Sequence, residues 1–322
     1  MTRTSLLVLF PLVLFGCTAK DVTDDSSASD DTSGSDDTSA ADDTASAECT
    51  APVTVSNSGS AIAGDYALTI DVSPFPGAAD DLSNVKVLDG SGTELPRWIA
   101  SASGGAGVIR AVVTDLPAGD TDLTLDACTS DAQPNAVEDV LPFLETFTGG
   151  LGPHTIECER VQSDGSGGWL NSEECEYNHA EEGGDGFLHT SLMASCYRDP
   201  YDGAAVALRG TAHLSAGDYR LSLDVRTQGE LYDFCSGTGH LFVVGSVGGN
   251  QLFMDDCEMT GCGACALDDW RIIDSPLYTS TGGDEEVYVR LQAHDCALGE
   301  LDLSEVSLER VVDPAPVATQ GS

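Results

Sequence analysis

The sequence predicts an all-β protein. Two antiparallel β-sandwich domains, a small sandwich and then a jelly-roll-like one, follow an apolar leader and a disordered acidic tether. Three observations carry this. Apolar residues alternate with small or polar ones at Tyr66, Leu68, Ile70 and Val72 and again at Val287, Val289, Leu291 and Ala293, the two-residue period of a half-buried strand. Gly and Pro punctuate many short runs of this kind. Beyond Cys17 the remaining ten of the 11 cysteines make an even set, as in exported domains held by disulfides. The predicted order is a leader at 1–16, Cys17 and the tether at 17–48, the small sandwich at 49–130, a linker at 131–141, the larger sandwich at 142–312 and a disordered tail at 313–322.

Leu6 to Phe15 is an almost unbroken apolar run that ends in Leu14-Phe15-Gly16-Cys17. A membrane-spanning helix needs roughly 20 apolar residues, and this run has barely half that. Its charged start at Arg3 and its apolar middle fit an export signal. Apolar core, small residue and cysteine together resemble the lipobox of bacterial lipoprotein signal peptides. That resemblance implies cleavage before Cys17 and a diacylglycerol on its thiol. Thr18 stands where an aspartate retains such proteins at the inner membrane, which implies the outer membrane or cell surface. A plain secretory signal and an anchoring helix are the competing readings.

After the cysteine, Asp24-Asp25, Asp30-Asp31, Asp36-Asp37 and Asp42-Asp43 recur every six residues among Ser, Thr, Ala and Gly. Thr18 to Glu48 holds nine Asp, one Glu and one Lys, a net charge of −9. Such a segment has little to bury and repels itself, so it is expected to stay extended. A calcium loop requires fixed ligand spacing and a Gly-driven turn, which a plain Asp-Asp repeat lacks.

About 270 residues remain, enough for two domains of ordinary size. The whole chain carries 54 acidic and 13 basic side chains, a net charge of −41. Lys20 and Lys86 are its only lysines, so it has no basic face for nucleic acid or for anionic lipid. Attachment to a membrane therefore has to come from the lipid on Cys17.

Cys49 and Cys128 bracket the first domain. Cys158, Cys175, Cys196, Cys235, Cys257, Cys262, Cys265 and Cys296 lie in the second, where eight cysteines allow 105 pairings. Cys262-Gly263-Ala264-Cys265 with Cys257 suggests zinc, but neither a second knuckle nor spaced histidines complete a site. Structural disulfides are the preferred reading, and no metal ligand is assigned.

The first domain reads as strands at Val53–Ser56, Tyr66–Val72, Val85–Leu88, Leu95–Ile99, Val108–Thr114 and Leu123–Leu125. About six strands in so short a stretch suggest a small sandwich. A Cys49–Cys128 bond ties the first to the last. "VTVSNSGSAIAGDYALTIDV", "VKVLDGSGTELPRWI" and "LPAGDTDLTLDA" resemble an uncharacterised β-domain of secreted bacterial proteins, with Asn57, Asp89 to Ile99 and Pro117 to Gly119 at its marker positions. The resemblance implies a fold and no activity, and Trp98 reads as a core or edge packing residue. Ala63-Gly64-Asp65-Tyr66 recurs as Ala216-Gly217-Asp218-Tyr219, and more loosely from Ala118-Gly119-Asp120. Uneven spacing excludes a solenoid and favours a reused turn feeding an alternating strand.

In the second domain, strands are expected at Phe187–Leu192, Ala205–Leu208, Tyr219–Thr227, His240–Val247, Trp270–Ile273, Val287–Ala293 and Leu301–Leu308, a two-layer sandwich of jelly-roll size. Phe143-Leu144-Glu145, then Ala216 to Val225, then Leu301 to Leu308 resemble the opening, central and closing strands of carbohydrate-binding jelly rolls with a galactose-binding-like fold. Members often hold a structural calcium. Ser304-Glu305 stands where they commonly show two aspartates. A laminin-G-like sandwich is the nearest competing fold.

If sugars bind, flat aromatic faces meet pyranose rings while carboxylates and amides hold hydroxyls. Trp169, in a glycine-rich loop, and Tyr177, Tyr197, Tyr201 and Tyr232, also assigned to loops, are the ligand-binding candidates. Trp270 begins a strand and reads as core. His154, His179, His189, His213, His240 and His294 are scattered. No nucleophile elbow, zinc-binding His pair or Cys–His signature appears, so no catalytic residue is assigned. The expected role is a lipid-anchored extracellular binding module for glycan or a protein partner. A structural or adhesive surface protein is the alternative, and a hydrolase with two positioned carboxylates is the third reading.

Overall fold

The structure, a computed structural model, describes residues 49–129, 137, 139–161, 167–168, 175–183, 185–194, 203–231, 238–260, 265–294 and 297–321. The leader, Cys17 and the tether lie outside the described residues, as do most of the linker, Trp169, Tyr197, Tyr201 and Tyr232, and Cys196, Cys235, Cys262 and Cys296. The first sandwich contains β1 (Thr50–Asn57), β2 (Ile62–Val72), β3 (Lys86–Leu88), β4 (Arg97–Ser103), β5 (Ala106–Leu116) and β6 (Gly119–Asp126). The second contains β7 (Phe143–Glu145), β8 (Thr155–Val161), β9 (Gly167–Gly168), β10 (Cys175–Glu182), β11 (Asp185–Met193), β12 (Gly203–Leu214), β13 (Gly217–Leu231), β14 (Thr238–Val247), β15 (Asn250–Thr260), β16 (Cys265–Asp274), β17 (Tyr278–Ser280), β18 (Gly283–His294) and β19 (Ala297–Val311). A last strand, β20 (Val317–Gln320), belongs to the first.

In the first sandwich the sheet β20-β1-β6-β3 packs on β2-β5-β4. Alternation decides the faces. Ala51, Val53 and Val55 of β1 turn inward to meet Leu68, Ile70 and Val72 of β2. Asn57 ends β1 buried, its amide donating to the carbonyls of Ser60 and Pro117 and accepting from the Gly59 N–H. Trp98 is half-buried on edge strand β4, with the Arg110 guanidinium 5.9 Å above its ring. Thr50 pairs with Asp126, which brings Cys49 and Cys128 together in a disulfide with their Cα atoms 5.0 Å apart.

The C-terminal segment corrects the sequence reading. Residues 313–322 were expected as a disordered tail, yet Val317–Gln320 forms β20, antiparallel to β1 from Val53↔Gln320 to Ser56↔Val317. The Gln320 side-chain amide adds two hydrogen bonds to the backbone of Ser73. The second sandwich is thus an insertion between β6 and β20 of the first.

The second sandwich stacks a seven-stranded sheet (β10-β11-β19-β13-β16, with β7 on β19 and β17 on β13) on a six-stranded one, β15-β14-β18-β12-β8-β9. Leu188, Leu221, Leu223, Val225, Leu301 and Leu303 from one sheet fill its core against Val206, Leu208, Val243, Val289 and Leu291 from the other. A second disulfide joins Cys158 of β8 to Cys175 of β10 across the two sheets, and Cys257 is also disulfide-bonded. Among the described residues, no helix is long and apolar enough to cross a membrane.

The two copies of Ala-Gly-Asp-Tyr meet at the junction of the sandwiches. Arg310, at the end of β19, donates from Nη1 to the carbonyls of Ala63 and Asp65 and from Nη2 to that of Ala216. Arg110 of β5 pairs with Glu309 beside it. Val140 and Leu141, at the end of the expected linker, are buried; the chain enters the second sandwich through a packed joint.

Candidate ligand site on the six-stranded sheet

Side chains that alternate outward from the six-stranded sheet form rows across it, because antiparallel partners share a face. One row runs Asp256 (β15), Phe242 (β14), Gln292 (β18), Ala205 (β12) and Glu159 (β8). Its middle is low and its ends are carboxylates. Ala205, and Ala207 two residues on, are fully buried although they alternate with the core residues Val206 and Leu208.

Phe242 is flanked by two imidazoles. The His240 ring stacks parallel on it at 5.3 Å and 4°, and the His294 ring meets it edge-on at 5.4 Å and 80°. His240 Nδ1 lies 3.0 and 3.1 Å from the two carboxylate oxygens of Asp256, which orients the ring. Gly203 makes room for the other: a Cβ there would stand 2.8 Å from His294 Nε2. Beside Phe242, Gln292 is 3% exposed, and among the described residues its Oε1 has no hydrogen-bond partner. A buried acceptor left open in this way costs on the order of 1–3 kcal/mol until a donor reaches it.

At the β8 end, Tyr288 donates its hydroxyl to Glu159 Oε2 at 2.7 Å, and the Arg209 guanidinium covers its ring at 4.2 Å. Arg209 also pairs with Glu159, Glu157 and Glu286. Burial, then the hydrogen bond to Glu159, pushes the Tyr288 phenol up to about 12. Burial works against the Arg209 charge, but its carboxylate partners outweigh it and raise its pKa. The arrangement offers an aromatic patch, an amide acceptor and carboxylates on one face, with donors fixed at one end.

The expected site residues are placed unevenly. Trp169, Tyr197, Tyr201 and Tyr232 lie outside the described residues. The strand ends that lead to them (Val161, Gly203 and Thr238) stand at the same end of the sheet as His240 and His294. Tyr177, expected in a loop, stands in β10 and faces the edge between the sheets, where its hydroxyl donates to the Ile156 carbonyl at 2.8 Å. The residue stays 36% exposed. Trp270, expected in the core, faces outward from the seven-stranded sheet, its indole 4.7 Å from the Arg226 guanidinium. No sequence pattern links His240, Phe242, His294 and Gln292; strand register brings them together.

At the closing strand, Ser304 and Glu305 stand where the jelly-roll resemblance implies a calcium. Ser304 gives its hydroxyl to Asp224 Oδ2 at 2.8 Å, and Glu305 stands beside Asp224 across the strands. Among the described residues no group of three or more His, Cys, Asp or Glu side chains is arranged to hold a metal.

No protein-family model matches the chain, and no curated protein matches it. Solved structures resemble it at low identity. TmCBM61 in complex with β-1,4-galactotriose gives a TM-score of 0.30 at 16% identity over 52% of this chain and 94% of that one. The CBM22-1 xylan-binding domain from Paenibacillus barcinonensis Xyn10C gives 0.28 at 12% identity, covering 53% and 94%. A carbohydrate-binding module of the β-sandwich superfamily gives 0.30 at 14% identity, covering 80% and 98%. These likenesses are too distant to assign a family or a ligand.

Proposed function

We propose that this is a lipid-anchored protein of the bacterial cell envelope, at the outer membrane or cell surface, whose second sandwich binds extracellular carbohydrate without cleaving it. The observation that carries the binding site is Phe242, set between two imidazoles and beside the open acceptor of Gln292, in a row closed by Asp256 and Glu159. An aromatic surface takes the apolar face of a sugar ring, while amides and carboxylates take its hydroxyls; few other ligands need both at once. Anionic ligands are disfavoured by the charge of −41. The envelope address rests on the leader and Cys17, with the acidic segment as spacer.

The test of binding is a glycan array probed with the Cys49–Ser322 fragment and its Phe242→Ala variant. Binding by the parent, lost in the variant with its fold intact by circular dichroism, is the expected result. A parent silent across the array, or a variant that binds as well as its parent, removes this site. Mass spectrometry of the mature protein checks the address: Cys17 should be the first residue and carry acyl chains.

A further inference from the structure

The outer face of the opposite, seven-stranded sheet carries a separate arrangement. His189 (β11), Asp302 (β19) and Arg226 (β13) stand directly beside one another across three strands. Asp302 is only 6% exposed although its side chain points out of the sheet. It is held by Arg226, whose Nε and Nη2 donate to Oδ2 at 2.9 and 2.8 Å, while Arg226 Nη1 donates to Glu182 at 2.7 Å. His189 Nδ1 lies 2.7 Å from the other oxygen of Asp302. A carboxylate held by a guanidinium can only accept there, so Nδ1 carries the proton it shares with Asp302 and Nε2 is left for a ligand.

Phe187 and Trp270 stand on strands separated by β19 and β13, yet their rings meet edge to face at 5.5 Å. Both therefore lean inward over Arg226, which lies 5.4 Å from one ring and 4.7 Å from the other. Next to this wall is an open depression of about 470 Å³, lined by Ala180, Phe187, His189, Gln228 and Glu300 with Arg226 and Asp302 in its floor. Its size falls within the range of small-ligand pockets, about 300–1,000 Å³.

A charge network accounts for Arg226, Asp302 and Glu182. It does not account for the next row, where Gln228 and Glu300 pair across β13 and β19 and stand exposed at the rim. An anion would meet Glu300, Glu182 and Asp302 with the only guanidinium of the lining already neutralised, and an apolar ligand would strand the amide and the imidazole. A neutral polyhydroxylated ring satisfies both. We infer that the seven-stranded sheet carries a second carbohydrate site, centred on His189, Gln228 and Glu300 beside Phe187 and Arg226, both of which touch Trp270. The site is independent of the one on the six-stranded sheet. Hydroxyls bond to His189 Nε2 and donate to Glu300, and the Gln228 amide both gives and takes a hydrogen bond. With sites on opposite faces, one chain bridges two segments of a polysaccharide, and avidity exceeds the affinity of either site.

The test is calorimetric titration of the Cys49–Ser322 fragment with cello-, xylo-, manno- and galacto-oligosaccharides, together with indole N–H resonances recorded for each sugar. The expected parent binds two equivalents and shifts the Trp270 resonance. Gln228→Ala with Glu300→Gln, both at exposed positions, should leave one equivalent, abolish the Trp270 shift and weaken retention on the matching polysaccharide at least about tenfold. Phe242→Ala should also leave one equivalent but keep the shift. One equivalent in the parent, lost only with Phe242→Ala, overturns this site and leaves the other. One equivalent lost only with the Gln228/Glu300 variant does the reverse. Absence of any Trp270 shift across the panel also overturns it.

Discussion

Gly64 and Gly217 occupy the same place in two copies of Ala-Gly-Asp-Tyr, one in each sandwich, and both lie against the side chain of Arg310. A Cβ at Gly217 would come within 2.7 Å of Nε, and one at Gly64 within 3.9 Å of Nη1 and 2.8 Å of the Ser215 hydroxyl. The repeated motif therefore makes more than two similar turns. It presents two sets of backbone carbonyls to one guanidinium, which joins the sandwiches.

Arg310→Ala leaves three carbonyls without this donor and should lower stability by ~1–3 kcal/mol. Differential scanning calorimetry should also show the two sandwiches unfolding less cooperatively. Arg310→Lys, which keeps the charge without the planar fork, should recover only part of the loss.

Ending the chain after Pro316 removes β20 and makes β1 an edge strand. The β1 amides that face β20 should exchange with solvent at least about tenfold faster, and the fragment should associate through the open edge. Hydrogen exchange and sedimentation read both effects. An unchanged β1 would mean that its pairing with β20 contributes little.

Replacing Cys49 and Cys128 together by Ser opens a loop with a sequence separation of 79. In the chain-entropy model the loss is about 4 kcal/mol, confined to the first sandwich. Guanidinium unfolding followed separately for Trp98 and Trp270 should show the first transition moving to lower denaturant and the second staying in place.

Tyr288 should ionise near pH 12, well after an ordinary phenol at about 10, because burial and the Glu159 carboxylate both oppose its anion. A pKa raised in the folded state contributes stability that is complete below pH 10 and is lost as the pH rises through 12. Tyr288→Phe should therefore lose less stability than the parent between pH 10 and 12. Ultraviolet titration should show that one late-ionising tyrosine has gone.

The sequence revealed strands wherever one face is buried and the other wet. The regular alternation of β13, β18 and β19 is legible without coordinates. It failed at edges. Cys175–Glu182 forms β10 with polar residues on both sides, and Val317–Gln320 is held as a strand by pairing with β1 and by the Gln320 amide. Trp270 misled for a related reason. Trp270 and Ile272 alternate with Arg271 and Ile273, so apolar groups occupy both faces and the pattern does not say which is inside; Ile272 is 72% exposed. Neither candidate site was legible, because each is a row of side chains across strands. His189 and Asp302 are 113 residues apart in sequence, and only strand register makes them neighbours.

The cystine between positions 49 and 128 has a mechanical consequence. If the chain ahead of Cys49 is pulled against a ligand held by the second sandwich, tension crosses directly from one sulfur to the other. The covalent path skips everything from Thr50 to Ala127, so the first sandwich is shielded from the load while the bond stays oxidised. Under a reducing agent the same pull would run through the first sandwich strand by strand, and a force trace would lengthen by its unravelled contour.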